Sequence, residues 1–173
     1  MKLIAIAAVA LDGVIGIGDK IPWRISEDFK HFRNTTMGHT LIMGYNTFKT
    51  LPKKALEGRI YVVLSKKHAK EDLSLTENEN IFFVDSVELA VMTAKAINNG
   101  KVFVAGGSMV YDSLLEYCDE AIITWVSKSY PEADKMFPTY KLLADFNFVN
   151  ECEWIKSKEE ILYKISYYKN VSK

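Results

Sequence analysis

Apolar residues run almost unbroken from Leu3 to Ala10 and recur in shorter blocks at Thr40–Gly44, Ile60–Leu64, Asn80–Val84, Lys101–Ala105 and Ala121–Val126. Short runs without polar alternation fit strands covered on both faces, as in a parallel sheet flanked by helices. Between them the spacing turns helical. Advancing about 100° per residue after Pro22 places Ile25, Phe29 and Phe32 on one face and Glu27, Lys30 and His31 on the other, with Ser26 as N-cap and the helix opening near Glu27. A short helix is predicted over Asn46–Leu51. Asp85 and Glu88 fit a capping box for a helix through Ile97, stopped at Asn98-Asn99-Gly100. Met109, Val110 and Leu114 mark another helix within Ser108–Tyr117. Asn147–Trp154 and Ile161–Lys169 alternate, which predicts an antiparallel hairpin at the sheet edge. Leu11–Lys20, with Asp12-Gly13, Gly16 and Gly18, reads as a loop, and Ala69–Glu79 is polar and without period. The pattern predicts an α/β chain: one domain over 1–173, three layers, a mostly parallel twisted sheet with an antiparallel edge hairpin.

Composition narrows the function. With 173 residues, 49% of them hydrophobic, one domain with a substantial core is expected. Lys plus Arg number 22 and Asp plus Glu 22, without a like-charged block, which argues against a nucleic-acid or polybasic membrane surface. Anionic ligands therefore need local cations. Cys118 and Cys152 are far apart and in no Cys-x-x-Cys or Cys/His pattern, so reduced thiols, a cytoplasmic setting and no metal site are expected. Met1 to Leu11 mimics a short secretion signal, but removing it would delete a central strand. No apolar run approaches the length of a membrane span.

Several residues then invite chemistry. Asp28 lies about 40° from Phe32, on the apolar side of its helix. Either it complements the helix dipole, or it is a carboxylate held in an apolar pocket to pair with a nitrogenous ligand. Gly44 with Asn46 and Thr47, and Gly106-Gly107 before Ser108, are two strand–glycine–helix passages that could present backbone N–H groups to phosphate; either could equally be a plain connection. Arg59, at a strand entrance, suits bidentate carboxylate recognition or a solvated turn. Ser65, Lys66, Lys67 and His68 leave a strand's carboxyl end, where they could receive a 2′-phosphate or form an ordinary basic turn. Thr124, a hydroxyl among apolar neighbours, needs a partner.

Taken in order, Pro22-Trp23 with Asp28, Gly44 with Thr47, Gly58-Arg59, Val104-Ala105-Gly106-Gly107-Ser108-Met109-Val110-Tyr111, Thr124, and Asp134 with Phe137-Pro138 resemble the bacterial dihydrofolate reductases across essentially the whole chain. The resemblance implies hydride transfer from C4 of NADPH to C6 of 7,8-dihydrofolate with protonation of N5, giving tetrahydrofolate for one-carbon metabolism and thymidylate synthesis. Asp28 would bind the pterin and promote its protonation through ordered water near Trp23 and Thr124, as the one ionisable side chain placed in that pocket. Ile6, Ala7, Ala105 and Tyr111 would face the pterin, Phe29, Phe32 and Leu51 the ring and tail, and Arg59 the tail's α-carboxylate. NADPH would lie along Ala8, Gly44, Tyr45, Asn46, Thr47, Leu64, Ser65, Lys66, Ala105, Gly106, Gly107, Ser108, Met109, Val110 and Tyr111. Ile15, Gly16, Asp19, Lys20 and Ile21 would form a lid toward which Asp134 packs. Tyr45 and Met109 stand where the family commonly carries cations, leaving Lys66, Lys67 or His68 to compensate, and Phe29 replaces an aliphatic residue. The family default is a monomer that also takes antifolates. Two other classes differ at the pocket: a reductase of ribosylated aminopyrimidines has no use for an acid at Asp28, and a silent nucleotide-binding module needs nothing there.

Overall fold

A computed structural model describes residues 1–70, 79–97 and 100–173; most of the polar stretch after Ala69, and the helix stop at Asn98-Asn99, lie outside them. β1 (Lys2–Ala10) runs parallel to and between β6 (Lys101–Val104) and β7 (Glu120–Val126). Beyond β6 come β3 (Thr40–Gly44), β4 (Ile60–Leu64) and β5 (Ile81–Val84), all parallel. Beyond β7 lies β11 (Leu162–Asn170), antiparallel, and on its far side β9 (Phe146–Glu151) and β10 (Ile155–Lys156).

The unbroken apolar run of β1 has a direct cause. Leu3, Ala5, Ala7 and Val9 pack on one face with α3 (Val87–Ile97) and α4 (Ser108–Leu114), while Ile4 and Ile6 pack on the other, the side of α1 (Ser26–Thr36) and α2 (Tyr45–Phe48). Because side chains alternate along a strand, helices on both faces require an apolar residue at every step.

Helix starts depart from the expected caps. α1 opens at Ser26 with Ile25 as its N-cap, and no side chain of its own caps it. The Ser26 N–H instead donates to Glu159 Oε2 at 3.2 Å, and the Ser26 hydroxyl donates to Glu159 Oε1. A carboxylate from the β10–β11 turn thus meets a free first-turn donor, which the dipole also favours. In α3 the Leu89 N–H donates to Ser86 Oγ at 3.2 Å, so Ser86, one residue later than expected, holds that helix start.

At the C-terminus β11 is an inner strand, and β9 with β10 forms the edge. Three further elements were not expected. β2 (Val14–Gly16) pairs with β8 (Lys135–Met136), inside what reads as loop. α5 (Thr139–Asp145) buries only Leu142 and leaves Tyr140 and Leu143 exposed, too thin an apolar stripe to announce a helix.

Candidate active site

The carboxyl ends of β1, β6, β3 and β4 share one edge. After β5 the chain returns to place β6 beside β1 and then β7 on the other flank of β1, and such a reversal of strand order opens a crevice. α1 crosses beside it, held at its start by Glu159 and by the Lys158 N–H, which donates to Glu27 Oε1 at 3.2 Å.

This anchoring aims Asp28 at β7. Thr124 Oγ1 donates to Asp28 Oδ1 at 2.6 Å, and Thr124 is itself buried, in register with Ala8 on one side and Ile165 on the other. The partner that Thr124 needs is therefore the carboxylate itself, a direct bond in place of the water link expected. Burial raises the Asp28 pKa above the ordinary carboxylate value; the Thr124 hydrogen bond and the nearby His31 pull it down without cancelling the rise. His31 does not face solvent as helical spacing implied: it is half-buried and close enough to feel the Asp28 charge, so Asp28 is not the only ionisable group in this region.

Trp23 is buried with Ala10, Val14, Ile25, Val126 and Tyr163, its ring 5.5 Å from that of Tyr130. Phe32 and Leu51 are half-buried against the cluster of Ile4 and Ile6. Phe29 is 53% exposed, contrary to its place on the apolar face, because α1 meets the sheet along Ile25, Phe32 and Thr36 and leaves Phe29 beside that line. Ile6 and Ala7 separate likewise: Ile6 packs on the α1 side and Ala7 on the α3 and α4 side, so the Ala7 side chain does not face the Asp28 pocket.

The glycine passages meet across the sheet. The Gly44 N–H donates to the Gly106 carbonyl at 2.8 Å, and a Cβ on Gly107 would lie 3.2 Å from Thr47 Oγ1. Neither α2 nor α4 has a side-chain cap; in the first turn of α4 the Val110 N–H donates to the Gly107 carbonyl at 3.0 Å, which leaves the N–H groups of Ser108 and Met109 for this corner. The Ser108 hydroxyl is buried there without a partner among the described residues. Tyr111 is buried, its hydroxyl donating to the Ile6 carbonyl at 2.7 Å, and burial pushes its pKa up, so the phenol stays neutral. Met109 is 84% exposed at the start of α4.

The family model described as dihydrofolate reductase matches residues 2–170. The chain belongs to the dihydrofolate reductase family. It is 34% identical to dihydrofolate reductase type 9 of Escherichia coli, covering 92% of this chain and 89% of that one. It is also 34% identical to dihydrofolate reductase of Mycobacterium tuberculosis, covering 93% of each. Among solved structures, dihydrofolate reductase from Enterococcus faecalis complexed with NADP(H) and RAB-propyl matches with a TM-score of 0.81 at 26% identity, over 98% of this chain and 96% of that one. The activity is the NADPH-dependent reduction of dihydrofolate to tetrahydrofolate. Among the described residues no helix is long and apolar enough to cross a membrane, and no cluster of three His, Cys, Asp or Glu could hold a metal.

Further parts of the reductase lie around this centre. On the lid side the Gly18 N–H donates to Asp134 Oδ1 at 2.9 Å, and β2 pairs with β8, which carries Lys135. Ile15 is half-buried, Gly16 buried, and Asp19, Lys20 and Ile21 are exposed; Asp19 reaches Lys49, just past α2, at 3.5 Å. Arg59 is no solvated turn residue: it is 5% exposed, and Nε donates to Thr36 Oγ1 at 2.9 Å, Nη1 to the Ala55 carbonyl at 2.6 Å and Nη2 to the Arg33 carbonyl at 3.2 Å. At the end of β4, Leu64 pairs with Gly44 and Ser65 Oγ is 2.8 Å from His68 Nδ1. The His68 ring stacks on Tyr45 at 4.0 Å and on Phe83 at 5.3 Å, while Lys66, Lys67 and Asn46 are exposed. Ala105 packs half-buried on the α1 side. Glu159 and Lys158 could not have been found from sequence, since nothing near them in the chain signals a helix 131 or more residues away.

Proposed function

We propose that Asp28 is the residue that binds the pterin and keeps a proton available for N5, with Thr124 and Trp23 as its supports. The observation that carries this reading is the Thr124 hydroxyl donating at 2.6 Å to Asp28 Oδ1, which holds a half-buried carboxyl on α1 against β7, where burial raises its pKa. A carboxylate there can accept two N–H bonds from an amidine edge, and its raised pKa lets it retain a proton nearer neutrality. Thr124 holds Oδ1 in place, and Trp23 closes one wall against water. Ile6, Phe32, Leu51, Ala105 and Phe29 offer apolar surface to the ring and tail, Tyr111 holds the Ile6 carbonyl in the middle of β1, and Ala7 contributes backbone alone. Arg59 has five N–H donors, and those its protein partners leave can take the tail carboxylate.

The residues fit NADPH. The uncapped starts of α2 and α4, the Ser108 hydroxyl without a partner among the described residues, and the space at Gly107 that a Cβ would fill all suit a bound pyrophosphate. Gly44, Asn46, Thr47, Gly106, Gly107, Ser108, Met109 and Val110 would hold it, with Ala8, Ile15 and Gly16 near the nicotinamide and Asp19, Lys20 and Ile21 completing the lid. NADPH supplies the hydride when bound. Tyr45, Leu64, Ser65, Lys66 and His68 would flank the adenosine end, where Lys66 provides a cation that Tyr45 and Met109 do not. We read the chain as one domain over 1–173, a cytoplasmic monomer able to take antifolates that carry the same amidine edge.

Two measurements test this. Turnover, followed by loss of the reduced-nicotinamide absorbance on adding dihydrofolate, is expected to fall as pH rises through the raised Asp28 value, because the protonated carboxyl is the useful form; a rate flat from pH 5 to 9 contradicts it. Lys66→Ala is expected to raise KM for NADPH about tenfold with little change for NADH; an unchanged ratio removes Lys66 from 2′-phosphate recognition.

A further inference from the structure

Two carboxylates and two backbone N–H groups cross between the start of α1 and the β10–β11 turn. Glu159 Oε2 accepts the Ser26 N–H at 3.2 Å and Oε1 accepts the Ser26 hydroxyl, while Glu27 Oε1 accepts the Lys158 N–H at 3.2 Å. The bonds run in opposite directions between adjoining residues on each side, so α1 cannot pivot on the turn as it could about a single bond. The turn itself is stiff. Ser157 is buried, its N–H donates to the Ile161 carbonyl at 2.9 Å, its Oγ accepts the Ile161 N–H at 3.1 Å, and its carbonyl accepts the Glu160 N–H at 3.0 Å. Beyond it β11 pairs with β7 from Tyr163 against Val126 to Lys169 against Glu120, which sets Ile165 beside Thr124. Asp28 comes directly after Glu27, so both members of the 2.6 Å contact between Thr124 and Asp28 take their places from one hairpin.

We propose that Glu159 is a positioning residue for the reaction: by gripping Ser26 it fixes the start of α1 against β11 and so holds the Asp28 carboxyl where it meets both Thr124 and the substrate. The inference rests on the reading of Asp28 as the pterin-binding group. Packing alone does not set this position. Ile25, just before the helix, and Thr36, at its far end, are buried, but no α1 side chain between them is fully buried, so polar contacts fix the rotation of the first turn. A helix leaves its first N–H groups without internal partners, and the N-cap Ile25 has no side-chain acceptor to offer. An anion brought from elsewhere in the chain supplies what is missing, and the helix dipole favours it. The hydroxyl and N–H of Ser26 hold the Glu159 carboxyl below the ordinary range, so the gripping form is the ionised one. Arg24 lies 3.9 Å from Glu159 Oε1 with its side chain 80% exposed, a surface ion pair that contributes little.

The test is steady-state kinetics with each substrate varied in turn. Glu159→Ala is expected to lower kcat/KM for dihydrofolate about tenfold, since a misplacement of about 1 Å costs up to about 10²-fold, while KM for NADPH stays within about twofold of wild type. In an Asp28→Asn background the same change is expected to cost nothing further, because the group that Glu159 places is already gone. An undiminished kcat/KM in Glu159→Ala, or a further loss of about tenfold in the double variant, overturns the proposal. Arg24→Gln is the control and is expected to behave as wild type; a loss equal to that of Glu159→Ala would assign the effect to the surface ion pair and overturn the grip on Ser26. Should Glu159→Ala not fold, Ser26→Ala removes the hydroxyl donor alone and is expected to lose roughly threefold in kcat/KM for dihydrofolate, with wild-type behaviour counting against the proposal. Failure of the Asp28 reading looks different: there Asp28→Asn itself keeps full turnover.

Discussion

Asp28→Asn is expected to bind NADPH as wild type does and to lose turnover at pH 7 by about 10²- to 10⁴-fold, the usual contribution of a placed acid or base. The substitution keeps the size of the side chain and a hydrogen-bond acceptor for Thr124, so the 2.6 Å contact survives in outline while the titrating proton and the charge are lost. Kinetics and stability are expected to move in opposite directions. The folded pKa of Asp28 is raised above its unfolded value, so its contribution to stability is fully present below the unfolded carboxylate pKa, about 3.9, and is lost as pH rises through the folded value. At neutral pH the ionised carboxylate is therefore a burden that Asn removes. Thermal unfolding should show the variant more stable than wild type at pH 7 and the gain fading toward pH 4. Near-normal turnover at neutral pH would take Asp28 out of its role, whatever the unfolding curves show.

The second large effect concerns the diglycine corner. Gly106 has φ +95°, and a Cβ there would lie 2.8 Å from Cε2, 3.1 Å from Cζ and 3.2 Å from the hydroxyl oxygen of Tyr111. That ring cannot swing aside cheaply. It is buried, packed 5.0 Å from the Phe137 ring, and tied through its hydroxyl to Ile6. Backbone strain of about 1 to 3 kcal/mol and a disturbed buried hydrogen bond of similar size together predict that Gly106→Ala loses about 3 kcal/mol or more. For a chain of this size that is a fall of roughly 6 to 12 °C in Tm. Gly18→Ala is the control. Gly18 also has positive φ, +57°, but nothing lies within 4 Å of its Cβ position, so only the conformational cost of about 1 to 2 kcal/mol remains. If calorimetry finds the two variants equally destabilised, the contact with Tyr111 is not what makes glycine necessary at position 106.

The strand order in space and the partner of each functional side chain separate what was legible in the chain from what was not. β1 announces itself because a strand under helices on both sides must be apolar at every residue, and the same holds in shorter form for β3, β4 and β6. Asp28 stands out because a carboxylate on an apolar helical stripe is costly unless something meets it, and the glycine passages stand out because close backbone approach needs a missing Cβ. Those are local demands, and local sequence answers them.

Other features answer to residues far along the chain, and the tertiary structure alone decided them. The hydroxyl on Asp28 comes from 96 residues away and the carboxylate at the start of α1 from 133 residues after Ser26, so neither pairing leaves a mark on the segment it serves. β11 became an inner strand because β9 and β10 cover its outer side, a choice that alternation in either segment cannot express. His31 was turned inward by the packing of α1 on the sheet, where a helical wheel had placed it in water. Periodicity reports which side of an element is apolar. It carries no information on which other element arrives there, because that depends on the summed packing of the whole chain.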